Sequence, residues 1–173
     1  MNGLPLVDPE AATGETAELL AAAQRAEGIT PNLTRAMANS PAVLRGYLDF
    51  GLALQKGGCL PDAVRQRVAL FVAQHYSCEY GLSAHTYVGT KAAGLSEEEA
   101  ARARRGESDD PQAAAALALT AALLQGVEPD PGTGIAPTHV VEIVAEVALA
   151  TLRVHLANAG QVPVDWPLVR PGD

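Results

Sequence analysis

The stretch CEYGLSAH, residues 78–85, is the most informative part of this sequence. It follows the pattern C-x-x-C-x-x-x-H, with Gly81 at the position of the second cysteine. Residues three, four and seven positions apart share one face of an α-helix, so Cys78, Gly81 and His85 are predicted to face the same space. Cys78 and His85 are then about 10 Å apart along the helix axis, because each residue adds ~1.5 Å. The thiol that would lie nearest to the imidazole is missing.

Glycines and prolines on both sides of this stretch divide the chain into further helices. Prolines stand at several predicted first turns, where a missing N–H breaks no helical hydrogen bond. Gly28 and Gly94 follow predicted helices as stop signals, and Thr138 and Gly160 are predicted to cap and close the last helix. The longest predicted loop covers residues 126–137. The helices are predicted to begin near residues 15, 31, 41, 61, 78, 96, 111 and 138.

The composition favours an all-α fold. The apolar fraction is 48% with only 4% aromatic residues, so the core consists largely of Ala, Leu and Val, which suits closely packed helices. A length of 173 residues fits one domain. We expect a single antiparallel bundle of seven or eight helices over residues 1–173, with residues 1–14 as an N-terminal arm and residues 161–173 as a tail that Trp166 holds in place.

Charge and hydropathy bear on the partners and the location. The net charge is −8, and the cluster Arg102, Arg104 and Arg105 is interrupted by glutamates, so no nucleic acid partner is expected. The N-terminal residues lack the basic start and apolar run of a secretory signal, and the apolar segments are short or contain charges. We therefore expect a cytoplasmic protein without a membrane partner.

Two cysteines in such a compartment are expected to be free thiols or a redox pair. The helix predicted from Pro61 to Tyr76 would separate Cys59 from Cys78 by roughly 20 Å, whereas a disulfide requires Cα atoms within about 7 Å. An unbroken helix thus excludes an intrachain disulfide. No standard zinc spacing appears around Cys78 and His85, so neither a metal nor a cofactor is expected.

Each chemically interesting residue has a structural alternative. A helix that begins at Cys78 would lower the pKa of the thiol and make it a nucleophile, but a small buried cysteine can also simply fill space. His85 can serve as an acid, a base or a hydrogen-bonded core residue. Tyr80 belongs to a cluster with Tyr76 and Tyr87, which indicates a pocket, a subunit contact or ordinary core packing.

Several segments together resemble the carboxymuconolactone decarboxylase and AhpD-like alkylhydroperoxidase superfamily. The resemblance extends over nearly the whole chain, and it includes the motif helix with Cys78 and His85. The segments that carry it are residues 31–33, 38–41, 60, 64–70, 77–80, 84–86, 93–96, 141–156 and 165–167.

This resemblance implies an AhpD-like helical fold that assembles as homotrimers or homohexamers, with active sites close to subunit contacts. In the alkylhydroperoxidase branch, two cysteines and a histidine, helped by an upstream glutamate, reduce a peroxide through a disulfide. The decarboxylase branch uses acid–base steps on a lactone acid instead. This chain departs from the first pattern at Gly81 and at Gln66, which stands in the place of the glutamate.

Three hypotheses follow from these departures. In the first, Cys78 reduces a hydroperoxide and an external thiol resolves the sulfenic acid, with His85 as acid–base partner and Gln66 as a polar support. In the second, His85 performs acid–base chemistry on a small organic acid or lactone, and a pocket beside Tyr80 and Gly81 holds the substrate. In the third, the oligomer binds a ligand without catalysis.

The second hypothesis calls for a cation to hold a substrate carboxylate. The sequence shows no evident clamp of this kind, although four basic residues are available in principle. These are Arg65, Arg67, Lys91 and Arg153.

Overall fold

The computed structural model describes residues 3–130 and 134–173, which form eight α-helices and no strand. This confirms the all-α prediction. None of the described helices has the length and apolarity needed to span a bilayer. The helices are α1 (Gly14–Glu27), α2 (Asn32–Met37), α3 (Pro41–Gly57), α4 (Asp62–His75), α5 (Glu79–Lys91), α6 (Glu97–Arg104), α7 (Pro111–Gln125) and α8 (Pro137–Gly160).

Local capping chemistry explains where most helices begin and end. Ser96 and Glu99 form the predicted capping box of α6, in which each side chain accepts a hydrogen bond from the other residue's backbone N–H. Asp110 accepts a hydrogen bond from the backbone N–H of Gln112 at 2.9 Å and so caps α7. Gly28 ends α1 in a left-handed backbone conformation with φ 77°.

The last helix differs from its prediction at both ends. It begins at Pro137 rather than after a Thr138 cap, because proline is well suited to the first helical position. Gly160 lies inside the helix, and Gln161 is the left-handed residue that ends it. A Cβ atom on Gly160 would lie 3.0 Å from Cδ1 of Leu4, so close packing of the arm explains this glycine. Of the predicted 126–137 loop, residues 131–133 lie outside the described residues.

Helix α4 occupies the centre of the bundle and packs against α5, α6, α7 and α8. Half of its fourteen residues are buried, including the fully buried Val68, Leu70 and Val72. A helix surrounded in this way has little freedom to shift, since protein interiors are close-packed. The side chains that α4 presents to α5 are therefore held at fixed positions.

The two chain ends are tied to the bundle by hydrogen bonds. The backbone N–H of Leu4 donates to the carbonyl of Gly160 at 2.8 Å. In the tail, the backbone N–H of Val169 donates to Oγ of Ser83 at 2.9 Å. The Trp166 ring packs edge-on against Tyr80, with ring centroids 5.4 Å apart. The tail therefore lies along α5, the helix that carries the motif.

Candidate functional site

The motif helix begins with its cysteine as the N-cap. Ser77 precedes it in a left-handed conformation with φ 49°, and the backbone N–H of Cys78 donates to the carbonyl of Ala73 at 2.9 Å. The Sγ atom of Cys78 then accepts a hydrogen bond from the backbone N–H of Gly81 at 3.4 Å. Cys78 is completely buried, at 0% exposure. Its thiol thus fills the capping role that a serine or aspartate usually has.

The expected lowering of the Cys78 pKa is wrong in this structure. Burial raises the pKa of the thiol, because a thiolate in an apolar environment loses its hydration. Hydrogen bonds from the backbone of Gly81 and Tyr80 act in the opposite direction, but they are outweighed. The helix start alone therefore does not make Cys78 an activated nucleophile.

The free space predicted beside Gly81 is also not found. A Cβ atom on this glycine would lie 2.9 Å from Cβ of Ala73 and 3.3 Å from Cγ1 of Val154. Helices α4 and α8 thus approach α5 so closely that they occupy the position of a second cysteine side chain. Gly81 is a packing residue here, and the predicted pocket next to it is wrong.

Tyr80 does not contribute to a pocket near the motif face either. Its hydroxyl group donates to Oδ2 of Asp165 at 2.7 Å and accepts from the backbone N–H of Leu33 at 3.2 Å. Burial and then the hydrogen bond to Asp165 raise the pKa of Tyr80, so the phenol stays protonated. Tyr80 joins α5 to the tail and to α2, which corrects its assignment as a pocket residue.

The structure brings His85 and Gln66 together. Nδ1 of His85 lies 2.8 Å from Oε1 of Gln66 on α4, two turns along α5 from the Cys78 end. An amide oxygen only accepts hydrogen bonds, so Nδ1 carries the proton and donates a hydrogen bond to Oε1 of Gln66. Nε2 of His85 is then left with a lone pair. Gln66 therefore holds the imidazole in the tautomer that can accept a proton at Nε2.

The surroundings of His85 strongly disfavour a charged imidazole. Burial, followed by the positive charge of Arg153, lowers the pKa of His85 to about 3. Near neutral pH the ring is therefore neutral.

Three residues that the sequence analysis did not assign as site residues complete this environment. The guanidinium group of Arg153 on α8 donates from Nε to the hydroxyl of Tyr47 at 3.2 Å and from Nη1 to Oε1 of Glu146 at 3.1 Å. Arg153 also lies over the Tyr47 ring, with Cζ 5.5 Å from its centroid. Burial opposes the charge of Arg153, but Tyr47 and Glu146 outweigh this effect and raise its pKa. Glu146 and Arg153 are seven positions apart, which indicates a shared helical face. This spacing does not indicate that the charge of Arg153 acts on His85.

The fold and this thiol–imidazole helix define the class of protein: an all-helical bundle built around a degenerate C-x-x-C-x-x-x-H motif. Residues 41–125 match the sequence profile of the carboxymuconolactone decarboxylase family. Over these residues the match confirms the resemblance drawn from the sequence. None of the curated protein sequences matches the chain.

Solved structures with the same fold include proteins of different activities. An uncharacterized peroxidase-related protein from Ralstonia eutropha JMP134, an alkylhydroperoxidase AhpD core, has a TM-score of 0.81 at 18% identity, over 95% of this chain and 93% of its own. A peroxidase-related protein from Silicibacter sp. TM1040 has a TM-score of 0.76 at 19% identity, over 92% and 88%. The debrominase Bmp8, also solved with 2,3,4-tribromopyrrole, has a TM-score of 0.76 at 14% identity, over 94% and 91%. At these identities the likeness establishes the fold alone.

Proposed function

We propose that this protein is an acid–base enzyme that acts on a small organic acid or lactone, with His85 as the group that takes and returns a proton. The match of residues 41–125 to the carboxymuconolactone decarboxylase family supports a small-molecule substrate. The observation that carries the proposal is the pair of His85 and Gln66, which leaves Nε2 unprotonated at neutral pH.

The proposed reaction is a proton transfer through one nitrogen atom. Nε2 of His85 accepts a proton from an acidic C–H or O–H group of the substrate, and the electron pair of that bond stays on the substrate. Gln66 accepts the Nδ1–H hydrogen bond throughout, so the ring does not rotate. The proton on Nε2 then returns to the product. No external oxidant or reductant is consumed.

The buried thiol supports this proposal over one that depends on Cys78. Cys78 is fully enclosed and its pKa is raised, whereas the proton transfer requires no thiolate. The hydrogen bonds of Cys78 and His85 also go to different partners, Gly81 and Gln66. The imidazole thus has the hydrogen-bond geometry of an acid–base group independently of the cysteine.

A panel of small carboxylated lactones and oxo acids tests the proposal. Each compound is incubated with the protein in D2O, and deuterium incorporation or loss of CO2 is followed by NMR. We expect His85→Gln to lower turnover at least about 100-fold, since a positioned acid–base group contributes 10²–10⁴-fold. Cys78→Ala should retain turnover within about threefold of wild type, and the exposed His75→Gln serves as the matched control. Loss of turnover with Cys78→Ala but not with His85→Gln would contradict the proposal.

Thiol-dependent hydroperoxide reduction is a second candidate, and the hydrogen bond from Gly81 N–H to Cys78 Sγ favours it. In this reaction the Cys78 thiol loses its proton, the thiolate attacks one peroxide oxygen, and the O–O bond breaks. The proton lost by the thiol passes to the leaving alkoxide and gives an alcohol, with His85 as the acid–base group that carries it. Two molecules of an external thiol then reduce the sulfenic acid to the thiol and give their own disulfide and water. The external reductant takes the place of the missing cysteine at Gly81.

A peroxide assay separates the two candidates. The protein is supplied with an alkyl hydroperoxide and dithiothreitol, and Cys78→Ser is compared with wild type and with Cys59→Ser as the control for the exposed thiol. The second candidate requires that Cys78→Ser abolish turnover while Cys59→Ser retains it. Equal turnover by wild type and Cys78→Ser would eliminate this candidate.

We also propose that the protein assembles as a homotrimer or homohexamer. Helices α3 and α8 expose large apolar side chains, of which Phe50 is 42% exposed and Val141 is 69% exposed. Such residues are typical of subunit contacts when they share a surface. Light scattering after size-exclusion chromatography tests this, and Phe50→Glu is expected to reduce the mass to that of a smaller species. A monomeric wild type would contradict the proposal.

A further inference from the structure

We infer that Arg153 provides an anion-binding subsite beside His85, which holds the carboxylate of a small substrate whose acidic proton faces Nε2. This inference rests on the proposed acid–base role of His85 and adds to it a recognition element and the residues that build it. These residues are Arg153 and Glu146 of α8 and Tyr47 of α3.

The hydrogen bonds of Arg153 leave one terminal nitrogen of its guanidinium group open. Nε is used by Tyr47, and Nη1 donates to Glu146. Nη2 makes no hydrogen bond to the described residues, and it is not among their buried side-chain atoms that lack a partner. Nη2 is therefore not fully enclosed, in agreement with the 19% exposure of the Arg153 side chain. An accessible N–H group on a fixed guanidinium is a suitable donor for a carboxylate oxygen.

The different exposure of the Glu146 and Arg153 side chains shows how the ion pair is oriented. The Glu146 side chain is only 8% exposed, whereas that of Arg153 is 19% exposed. Glu146 thus lies on the inner side and Arg153 on the outer side of the pair. Glu146 and Tyr47 fix the orientation of the guanidinium, so an incoming anion finds it already ordered and loses less conformational entropy on binding.

Arg153 lies on the part of α8 that packs against the motif helix, since Cγ1 of its neighbour Val154 is 3.3 Å from the Cβ position of Gly81. Its charge there links anion binding to the proton transfer. The charge of Arg153 contributes to the lowered pKa of His85, while Tyr47 and Glu146 face Arg153 from α3 and from its own helix. A bound carboxylate offsets the positive charge of Arg153 and raises the pKa of His85. With this higher pKa the imidazole is a stronger base when an anionic substrate is bound. The change favours catalysis, because catalytic groups work best with a pKa near the ambient pH.

If Arg153 and Glu146 formed a purely structural ion pair, the expected anion binding would be different. In that case Glu146 saturates the guanidinium, and small anions have no specific site. In the subsite that we infer, Glu146 competes with the anion for Arg153. The substitution Glu146→Gln should then strengthen anion binding. For a purely structural pair we expect no anion binding before or after this substitution.

Acetate is the probe, and neutral acetamide of similar shape is its control. The full-length protein is titrated at constant ionic strength and pH 7, and the ring signals of His85 are followed by NMR. We expect a saturable shift with acetate and none with acetamide. Arg153→Gln should abolish the shift, Glu146→Gln should lower the half-saturating concentration at least about threefold, and Arg45→Gln on exposed α3 should have no effect.

The outcomes separate this inference from its alternatives. An acetate shift that survives Arg153→Gln, or no saturable shift up to about 100 mM, would overturn the subsite. If Arg153→Gln does not fold, Glu146→Gln decides, because unchanged binding in that variant also overturns it. The readout is binding and not turnover. A failure of the acid–base proposal therefore appears separately, as turnover that is insensitive to His85→Gln.

Discussion

The amide oxygen of Gln66 lies 2.8 Å from Nδ1 of His85 and accepts a hydrogen bond from its N–H group. A carboxylate at this position would stabilise a positively charged imidazolium, but a neutral amide provides no such stabilisation. Glutamine rather than glutamate at position 66 therefore favours a neutral histidine with a lone pair on Nε2. The contact between these two residues underlies the predictions for the site.

The stability of the protein should depend on pH through His85. The folded pKa of about 3 lies below the ordinary value of 6.5, so below about pH 6 the unfolded chain binds a proton that the folded chain excludes. The contribution of His85 is complete above pH 6.5 and is lost as the pH falls toward 3. Relative to His85→Gln, wild type should lose up to about 1.4 kcal/mol of unfolding free energy per pH unit in this window.

Urea denaturation at several pH values between 7 and 4 measures this dependence. The His75→Gln variant is the control, because His75 is exposed at the end of α4. Its profile should parallel that of wild type. Parallel profiles for wild type and His85→Gln would show that His85 titrates in the same way in the folded and the unfolded chain, which would contradict the prediction.

A side chain at position 81 should destabilise the protein, because atoms of neighbouring helices occupy its space. The Cβ of Gly81→Ala would lie 2.9 Å from Cβ of Ala73, so we expect a loss of about 2 kcal/mol in unfolding free energy despite the better helix propensity of alanine. Removing the opposing methyl group with Ala73→Gly should make the double variant more stable than the sum of the single changes predicts.

A double-mutant cycle measures this coupling, which we expect to be about 1 kcal/mol or more. Gly46→Ala is the matched control, because Gly46 lies within α3 with nothing near its Cβ position. That change should stabilise the protein by about 0.5–1 kcal/mol. Additive effects of Gly81→Ala and Ala73→Gly would contradict the close contact.

The two cysteines should differ in reactivity toward iodoacetamide at neutral pH. The pKa of both thiols is raised, that of Cys59 by its hydrogen bond with Glu142 and that of Cys78 by burial, but only Cys59 is exposed. We expect Cys59 to be alkylated first and Cys78 at least about tenfold more slowly. Mass spectrometry of digested samples distinguishes the two sites. Rapid alkylation of Cys78 in the folded protein would contradict its enclosure and would favour the peroxidase candidate over a non-catalytic ligand-binding protein.

The tail should stabilise the bundle through Tyr80. Tyr80→Phe removes the donor to Asp165 and leaves the buried backbone N–H of Leu33 without its acceptor, so we expect a loss of about 2 kcal/mol. Asp165→Ala combined with Tyr80→Phe should cost less than the sum of the two changes, since both remove the same hydrogen bond. Thermal unfolding measures these effects. Tyr87→Phe, at an exposed position of α5, should leave stability unchanged.

Much of the fold follows from local signals in the sequence. Pro41 and Pro111 mark helix starts, and Ser96 with Glu99 forms a capping box from four neighbouring residues. The motif spacing predicts the helix that carries His85 and begins at Cys78, and the resemblance indicates Gln66 as a site residue. Such features are local, or they recur in a related pattern, so a sequence alone indicates them.

The remainder of the site depends on contacts between distant segments. Arg153 and Tyr47 are more than 100 positions apart, and no local pattern indicates that α3 and α8 bring them together. The filled space at Gly81 depends on Ala73 and Val154 from two other helices. Burial also reverses the effect of the helix start on the Cys78 pKa, and burial is a property of the folded chain.

The most direct test of the proposed site is the protonation state of His85 in the folded protein. Nitrogen-15 NMR of the histidine rings between pH 7 and 4 is predicted to show a neutral His85 with its proton on Nδ1, and Gln66→Glu is predicted to raise its pKa by at least about one unit. A wild-type His85 that titrates near 6.5, or that carries its proton on Nε2 at pH 7, would contradict the account.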